Sequence, residues 1–324
     1  MSDRCEHFQL EDVTLELGGT LRGAWLAYVT RGKLNAAGDN AILFPSHYTG
    51  THRENLAMVG PGRALDPNEH FIVIVNLLGN GESSSPSNHA DFPAVTLRDN
   101  VCLQWRLLES LGVKQLALAH GWSMGAQQAY HHAALFPERV RALLAVCGSA
   151  RTSPHNWVFL EGVKAALLAD PDAERPQRGL AAFGRVYAGW AYSQTFFRER
   201  LYERLGHASP EALLRAWEEE HLGYDSRDLL AVLDSWQRAD ISSDPTFRDD
   251  LPSALRAITA RTIVMPCRTD LYFPPEDSRL EVQHLRDGEL RILESDFGHV
   301  AGGPNRIPED TAFVEAAIRE LLVR

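Results

Sequence analysis

A serine lies between two glycines in the segment GWSMG, residues 121–125, which matches the pattern G-x-S-x-G. The apolar run LALAH precedes the segment and the helical pattern MGAQQAYHHAAL overlaps its end, so Ser123 is predicted to occupy a sharp turn from a strand to a helix. Such a turn exposes the serine hydroxyl and directs the first N–H groups of the helix toward it. An ordinary glycine-flanked turn is the alternative, but the strand and helix flanks favour a nucleophile.

A serine hydroxyl is a weak nucleophile unless a base accepts its proton, and in this arrangement an acid and then a histidine follow the serine along the chain. Asp270 follows the predicted strand RTIVMPC, and His299 lies in the loop DFGHVAGG after the last predicted strand. Glu276 and Asp277 are rival acids, but they follow two prolines at a predicted helix start, where capping suits them better. We therefore predict that Ser123, Asp270 and His299 form a catalytic triad.

Two backbone N–H groups are predicted to form an oxyanion hole. The N–H of Met124 begins the predicted helix, and the N–H of Tyr48 lies in the turn HYTG after the predicted strand AILFP. His47 and His52 in the same region suggest a metal pair, but no third ligand is evident, so no metal is expected. No cofactor is expected either, because GNGESS lacks the full G-x-G-x-x-G spacing of a dinucleotide site.

The elements that must position these residues alternate between short apolar runs and helical patterns. Continuous apolar runs are typical of buried parallel strands, so the chain is predicted to be an α/β protein with a mostly parallel sheet and helices on both faces. Residues 151–250 carry only helical patterns and many aromatic residues. We therefore predict an α/β core at residues 1–150 and 251–324, and a helical cap at residues 151–250. The predicted strands are AILFP, FIVIVNLLG, QLALAH, ALLAVCG, TIVMPC and LRILES, preceded by a hairpin of FQLEDVTLEL and LRGAWLAYVT.

The composition excludes several classes of partner. The chain has 324 residues, 44% of them hydrophobic, and a formal net charge of -11, without a basic stripe for nucleic acid. No apolar stretch has the length of a membrane span or the character of a signal peptide, so a cytoplasmic protein with no membrane partner is expected.

The four cysteines are far apart and are expected to be reduced. Most of the thirteen histidines, including His221, are expected to be structural or solvated.

Taken together, SHYTGTH, FIVIVNLLGNGESSSPSN, GWSMGAQQAY, TDLYFPPED and FGHVAGG resemble the α/β-hydrolase-fold homoserine O-acetyltransferases and their relatives. The resemblance implies the α/β-hydrolase fold and acyl transfer through an acyl-serine at Ser123, with His299 as base and Asp270 as its partner. It also implies a homodimer formed through the cap. Arg185, in RGLAAFGRVYAGWAYS, occupies the position of a substrate-binding cap arginine of that family. An ion pair with a cap acid is an equal alternative for Arg185.

Two positions depart from the transferases, which usually carry glycine where this chain has Trp122 and Ala126. Trp122 beside the nucleophile is predicted to contact substrate, and together with an aromatic-rich cap it indicates a modest, largely apolar acyl pocket. No segment resembles a cradle for the phosphates of coenzyme A. Hydrolysis of a small carboxylic ester is therefore the expected function. One alternative is an O-acyltransferase that moves an acetyl group from acetyl-CoA to homoserine, serine or a similar alcohol, and the other is a non-catalytic binding protein of the same fold.

Overall fold

The computed structural model describes residues 4–323 and contains one large sheet and one small one. The strands are β1 (Glu6–Gln9), β2 (Val13–Thr14), β3 (Thr20–Leu21), β4 (Trp25–Arg31), β5 (Ala41–Leu43), β6 (Phe71–Val75), β7 (Leu116–Trp122), β8 (Ala142–Val146), β9 (Arg261–Met265) and β10 (Gly288–Leu290). The large sheet has the order β1-β4-β6-β5-β7-β8-β9-β10, while β2 and β3 form a separate antiparallel pair. The contacts of β4 with β1 and β6 are antiparallel, and all the other pairs in the large sheet are parallel.

Helices connect these strands and cover both faces of the sheet. The α-helices are α1 (His52–Leu56), α2 (Leu97–Ser110), α3 (Met124–Leu135), α4 (Pro154–Leu168), α5 (Gln177–Ala191), α6 (Gln194–Arg198), α7 (Pro210–Leu222), α8 (Ser226–Gln237), α9 (Leu251–Ala257), α10 (Pro275–Val282) and α11 (Pro308–Leu322). Within residues 4–323, no helix combines the length and the apolar character that crossing a bilayer requires.

The sheet is buried on both faces, as its continuous apolar strands predict. Neighbouring residues of one strand enter different hydrophobic clusters: Ile42 packs in one cluster, and Ala41 and Leu43 pack in the other. Helices α2, α3 and α9 contribute to the second cluster, whereas α11 shares the first cluster with α4, α5 and α8. This arrangement confirms the predicted fold class, because side chains of successive strand residues point to opposite faces and each face needs its own cover.

The last strand differs from its prediction. The segment LRILES was expected to form it, but β10 spans Gly288–Leu290, and beyond it only an isolated bridge joins Cys267 to Leu293. The physical reason lies in the neighbouring strand, since β9 ends at Met265 and the next residue is Pro266, which has no N–H to donate to a ladder. The pairing of the two segments is therefore irregular after this point.

Helices α4 to α8 lie between β8 and β9 along the chain. The two ends of this insertion meet, because Arg151 and Asp240 form an antiparallel bridge and the N–H of Thr152 donates to the carbonyl oxygen of Ala239 at 2.8 Å. We refer to residues 152–239 as the cap segment. The wider domain boundaries drawn from the sequence, with a cap at residues 151–250, stay a prediction.

Candidate active site

Ser123 lies in a strained turn between the end of β7 and the start of α3. Its φ of 57° and ψ of -129° place it outside the regions that non-glycine residues usually adopt. A Cβ at Gly121 would lie 2.1 Å from the carbonyl carbon of Gly125, and a Cβ at Gly125 would lie 2.8 Å from the carbonyl oxygen of Pro45. Only glycine fits at either position, so the two glycines of GWSMG make this turn geometrically feasible.

The structure brings Ser123, His299 and Asp270 together. The Ser123 hydroxyl donates to Nε2 of His299 over 3.0 Å, and Nδ1 of His299 donates to Oδ2 of Asp270 over 2.8 Å. The other carboxylate oxygen of Asp270 accepts from the N–H groups of Tyr272 at 2.8 Å and Phe273 at 3.2 Å. Ser123 follows β7, Asp270 follows β9, and His299 lies in a short 3-10 helix after β10, so all three are at the carboxyl ends of parallel strands.

Aromatic rings hold the His299 imidazole between them. The Trp122 ring stacks on it with the centroids 4.8 Å apart, and the Tyr272 ring lies 4.6 Å away. The indole Nε1–H of Trp122 also donates to the backbone carbonyl oxygen of His299 at 3.2 Å. Trp122 therefore fixes both the backbone and the ring plane of His299, in addition to lining the cavity described below. Its predicted contact with substrate stays a prediction.

The two predicted oxyanion donors belong to different parts of the core. Met124 is the first residue of α3, so its N–H has no acceptor within the helix. Tyr48 lies in a tight turn, in which Thr49 has a φ of 60° and the Gly50 N–H donates to the carbonyl oxygen of His47. A Cβ at Gly50 would lie 2.3 Å from the His47 ring, so this loop is also closely packed. The oxyanion role of both N–H groups stays a prediction.

The Ser123 hydroxyl lies at a cavity of about 400 Å³, which is within the range of small-molecule sites. Its two walls come from different parts of the chain. The core wall consists of His47, Tyr48, Thr49, Trp122, Ser123, Tyr272, His299, Val300, Arg306 and Ile307. The cap wall consists of Tyr187, Ala191, Tyr192, Leu205, His207, Ala216, Trp217, Glu220 and His221.

Two further histidines line this cavity. Burial lowers the pKa of His47 to about 3, with Arg306 and His299 acting in the same direction, so the His47 ring is neutral. Burial also lowers the pKa of His221, whose Nδ1–H donates to the carbonyl oxygen of Trp217 at 2.8 Å. Neither residue was predicted from the sequence to line a cavity: His47 was noted only as half of a metal pair, and His221 was expected to be structural or solvated. No signal in the sequence shows which face of α7 meets the cavity.

Arg185 does not line the cavity. Its guanidinium pairs with Glu218 at 2.7 Å and with Glu211 at 3.4 Å, both on α7, and its side chain is 40% exposed. Of the two interpretations left open by the sequence, the structure contains the ion pair. The arginine of this cavity is instead Arg306, in the loop before α11, which was not predicted from the sequence.

The two histidines that suggested a metal pair lie in different places, because His47 lines the cavity while His52 belongs to a different cluster. In that cluster a nitrogen of His52, a carboxylate oxygen of Glu82 and the Cys5 sulfur lie within 4.8 Å of one another. However, Nδ1 of His52 accepts from the Asn76 amide at 3.1 Å, which leaves the proton of the neutral ring on Nε2. Glu82 is in turn engaged by the guanidinium of Arg53. These interactions do not favour a metal at this cluster.

Residues 60–302 match the family model of the alpha/beta hydrolase fold, and the chain belongs to that family. It is 34% identical to an ethyl acetate hydrolase of Pseudomonas veronii, with 91% of this chain and 89% of that protein covered. The crystal structure of the acetyl esterase MekB superposes with a TM-score of 0.95 and 33% identity, covering 99% of this chain and 97% of that one. A homoserine O-acetyltransferase of Trichormus variabilis is 29% identical over 93% of this chain and 90% of its own length. The resemblance seen in the sequence is thus confirmed, as is the predicted class of enzyme, an α/β-hydrolase-fold esterase or acyltransferase.

Proposed function

We propose that this protein hydrolyses a small carboxylic ester through an acyl-enzyme intermediate on Ser123. The observation that carries the proposal is the hydrogen-bond chain from the Ser123 hydroxyl through His299 to Asp270, with lengths of 3.0 and 2.8 Å, at the wall of a cavity. The relatives named ethyl acetate hydrolase and acetyl esterase support acetate as the acyl group.

In the first step, Nε2 of His299 accepts the hydroxyl proton while Ser123 Oγ attacks the ester carbonyl carbon. The Asp270 carboxylate stabilises the imidazolium that forms and holds the ring in the required tautomer. The N–H groups of Met124 and Tyr48 donate to the oxyanion. When the tetrahedral intermediate collapses, the carbon–oxygen bond to the alcohol breaks, and the alcohol leaves with the proton held by His299.

In the second step, His299 takes a proton from a water molecule, and the hydroxide attacks the acyl carbon. The acyl–serine bond breaks, the carboxylic acid departs and Ser123 recovers its proton. Trp122, beside the serine, would contact the acyl group. If an alcohol such as homoserine or serine replaced the water, the same steps would make the protein an O-acyltransferase with acetyl-CoA as donor, and the homoserine O-acetyltransferase relative supports this second candidate.

The test measures acetate release from ethyl acetate and p-nitrophenyl acetate by the wild type and by Ser123→Ala. We expect kcat to fall by at least about 10⁴-fold in the variant, because no other group can form the acyl intermediate. Ser110→Ala is the matched control, since Ser110 is exposed at the end of α2 and lies outside the cavity. Circular dichroism of both variants checks that the fold is retained.

A parallel reaction with acetyl-CoA and L-homoserine or L-serine, followed by mass spectrometry, separates the two candidates. Acetate without an O-acetyl amino acid supports the hydrolase, whereas an O-acetyl product supports the transferase. Full ester turnover by Ser123→Ala would rule out both. The homodimer and the cytoplasmic location stay predictions, and sedimentation of the purified protein tests the former.

A further inference from the structure

Besides the rings of His47 and His207 and Nε2 of His221, two polar groups of the cavity make no hydrogen bond or ion pair with residues 4–323. The first is the phenolic hydroxyl of Tyr187 on α5, and this residue is only 7% exposed. The second is the guanidinium of Arg306, in the loop between the 3-10 helix of His299 and α11. The Tyr187 hydroxyl belongs to a buried residue, for which a missing partner is unusual, whereas Arg306 is exposed to solvent as well as to the cavity. Both groups are available to a ligand in the cavity.

The other tyrosine hydroxyl groups in this cavity each have a hydrogen-bond partner. The Tyr48 hydroxyl donates to the carbonyl oxygen of Leu229 at 3.1 Å, and the Tyr272 hydroxyl donates to the backbone carbonyl oxygen of Tyr187 at 2.9 Å. The Tyr192 hydroxyl accepts from the indole of Trp217 at 3.3 Å. Tyr187 is therefore the tyrosine of this cavity whose hydroxyl has no hydrogen-bond partner within residues 4–323.

The charge of Arg306 reaches the cavity groups around it. Burial raises the pKa of Tyr187 well above its usual value, and the guanidinium of Arg306 acts in the opposite direction. Arg306 also contributes to the lowered pKa of His47 on the core wall. Glu220 is the negatively charged residue of the cap wall, and its carboxylate accepts from the Tyr224 hydroxyl at 2.9 Å. The carboxylate of Glu220 thus has a hydrogen-bonded partner, whereas the guanidinium of Arg306 has none within residues 4–323.

We propose that Arg306 and Tyr187 form a subsite for a carboxylate carried by the ester substrate, so that the preferred substrate is an ester with one free carboxylate. The inference rests on the proposed ester hydrolysis at Ser123. A guanidinium can donate two parallel hydrogen bonds to a carboxylate, and the phenol can donate a third. The cavity has room for such a substrate, because about 400 Å³ at roughly 30 Å³ per water-sized group holds on the order of a dozen non-hydrogen atoms. Ethyl acetate, by its formula, would leave half of that volume unfilled.

The experiment compares each carboxylate-bearing ester with a neutral ester of the same skeleton. Acetoxyacetate and methyl acetoxyacetate place the charge on the alcohol part, and monoethyl succinate and diethyl succinate place it on the acyl part. We expect the wild type to have the higher kcat/KM for the charged member of at least one pair. Arg306→Gln should lower the charged-to-neutral ratio of kcat/KM by about tenfold, since it removes a charge-assisted hydrogen bond. Tyr187→Phe should lower the ratio by about threefold, and Arg306→Lys should restore part of it.

Two further variants separate the subsite from the net charge of the protein. Arg106→Gln removes the same charge from the exposed surface of α2, outside the cavity, and should leave the ratio unchanged. Glu220→Gln removes a negative charge from the cap wall and should raise the ratio, because it removes repulsion of the carboxylate. Melting temperatures of all the variants check the fold.

A response in one pair supports the subsite and assigns the carboxylate to the acyl or the alcohol part. Hydrolysis of the neutral esters with ratios that Arg306→Gln and Tyr187→Phe do not change would overturn the subsite and leave the proposed function standing. Succinate binding, measured by calorimetry, provides a readout that needs no turnover. If no ester is hydrolysed but succinate binds the wild type more tightly than Arg306→Gln, the proposed function fails and the subsite stands.

Discussion

The two walls of the cavity are built in different ways. The core wall carries Ser123 and His299 at strand ends, and together with Asp270 these two residues form a continuous buried hydrogen-bond chain. The cap wall comes from helices and short connections, and hydrogen bonds join only some of its polar groups: the Trp217 indole donates to the Tyr192 hydroxyl, whereas the Tyr187 hydroxyl has no partner within residues 4–323. The chemistry of this site is therefore fixed by backbone geometry, whereas its choice of substrate depends on individual side chains. Substitutions of the triad and of the backbone turns and buried groups around it should have the larger effects, and those of the other cavity and cap side chains smaller ones.

The largest expected effect in this comparison is that of Asp270→Asn. The amide keeps the size of the carboxylate but would favour the wrong tautomer of His299 and could not stabilise its positive charge, so kcat should fall by about 10⁴-fold. Acetate release from p-nitrophenyl acetate measures the change. Asp277→Asn is the control, because Asp277 lies in the first turn of α10 and does not contact His299. A greater loss in Asp277→Asn than in Asp270→Asn would contradict the assignment.

A smaller but still large effect is expected from Gly121→Ala. The added Cβ would lie 2.1 Å from the backbone of Gly125, and backbone atoms cannot move aside as a flexible side chain can. The free energy of unfolding should fall by roughly 3 kcal/mol or more. Gly189→Ala in α5 of the cap segment meets no atom within 4 Å and should instead stabilise the helix by up to about 1 kcal/mol. Chemical denaturation of both variants measures these changes. Equal changes in the free energy of unfolding would contradict the prediction.

A buried carboxyl group that contacts α3, the helix after Ser123, predicts that stability depends on pH. Glu281 is buried where α10 meets α3, and it accepts from the Tyr130 hydroxyl at 3.0 Å and from the Ala150 N–H at 2.8 Å. Burial raises its pKa from 4.5 to about 8, so the folded state keeps a proton that the unfolded chain releases. This contribution to stability is fully present below about pH 4.5 and is lost as the pH rises toward 8.

Glu281→Gln removes this titration while keeping the shape of the side chain. Melting temperatures at pH 5 and pH 8 should differ less in the variant than in the wild type. Glu276→Gln serves as the control, because Glu276 is exposed in the same helix. An unchanged difference in Glu281→Gln would show that other groups set the pH dependence.

The two walls also differ in how far the sequence predicts them. The triad was predictable because G-x-S-x-G ties a serine to a strand–helix boundary, and the acid and histidine then follow later strands. The cap wall was not, because a helical pattern does not show which face meets a cavity. Arg185 and Tyr187 are two residues apart on α5 and hence about 200° apart around its axis. One therefore pairs with acids of α7 while the other lines the cavity.

The smallest expected effect, and the sharpest test of this face assignment, is that of Arg185→Gln. An ion pair that is 40% exposed on the arginine side contributes little to stability, so the free energy of unfolding should fall by less than about 1 kcal/mol. Because the guanidinium contacts Glu218 and Glu211 rather than the cavity, KM for p-nitrophenyl acetate and for acetoxyacetate should change by less than about twofold. A large rise in KM for acetoxyacetate in Arg185→Gln, without one in Arg306→Gln, would mean that the cap helix turns its other face toward substrate.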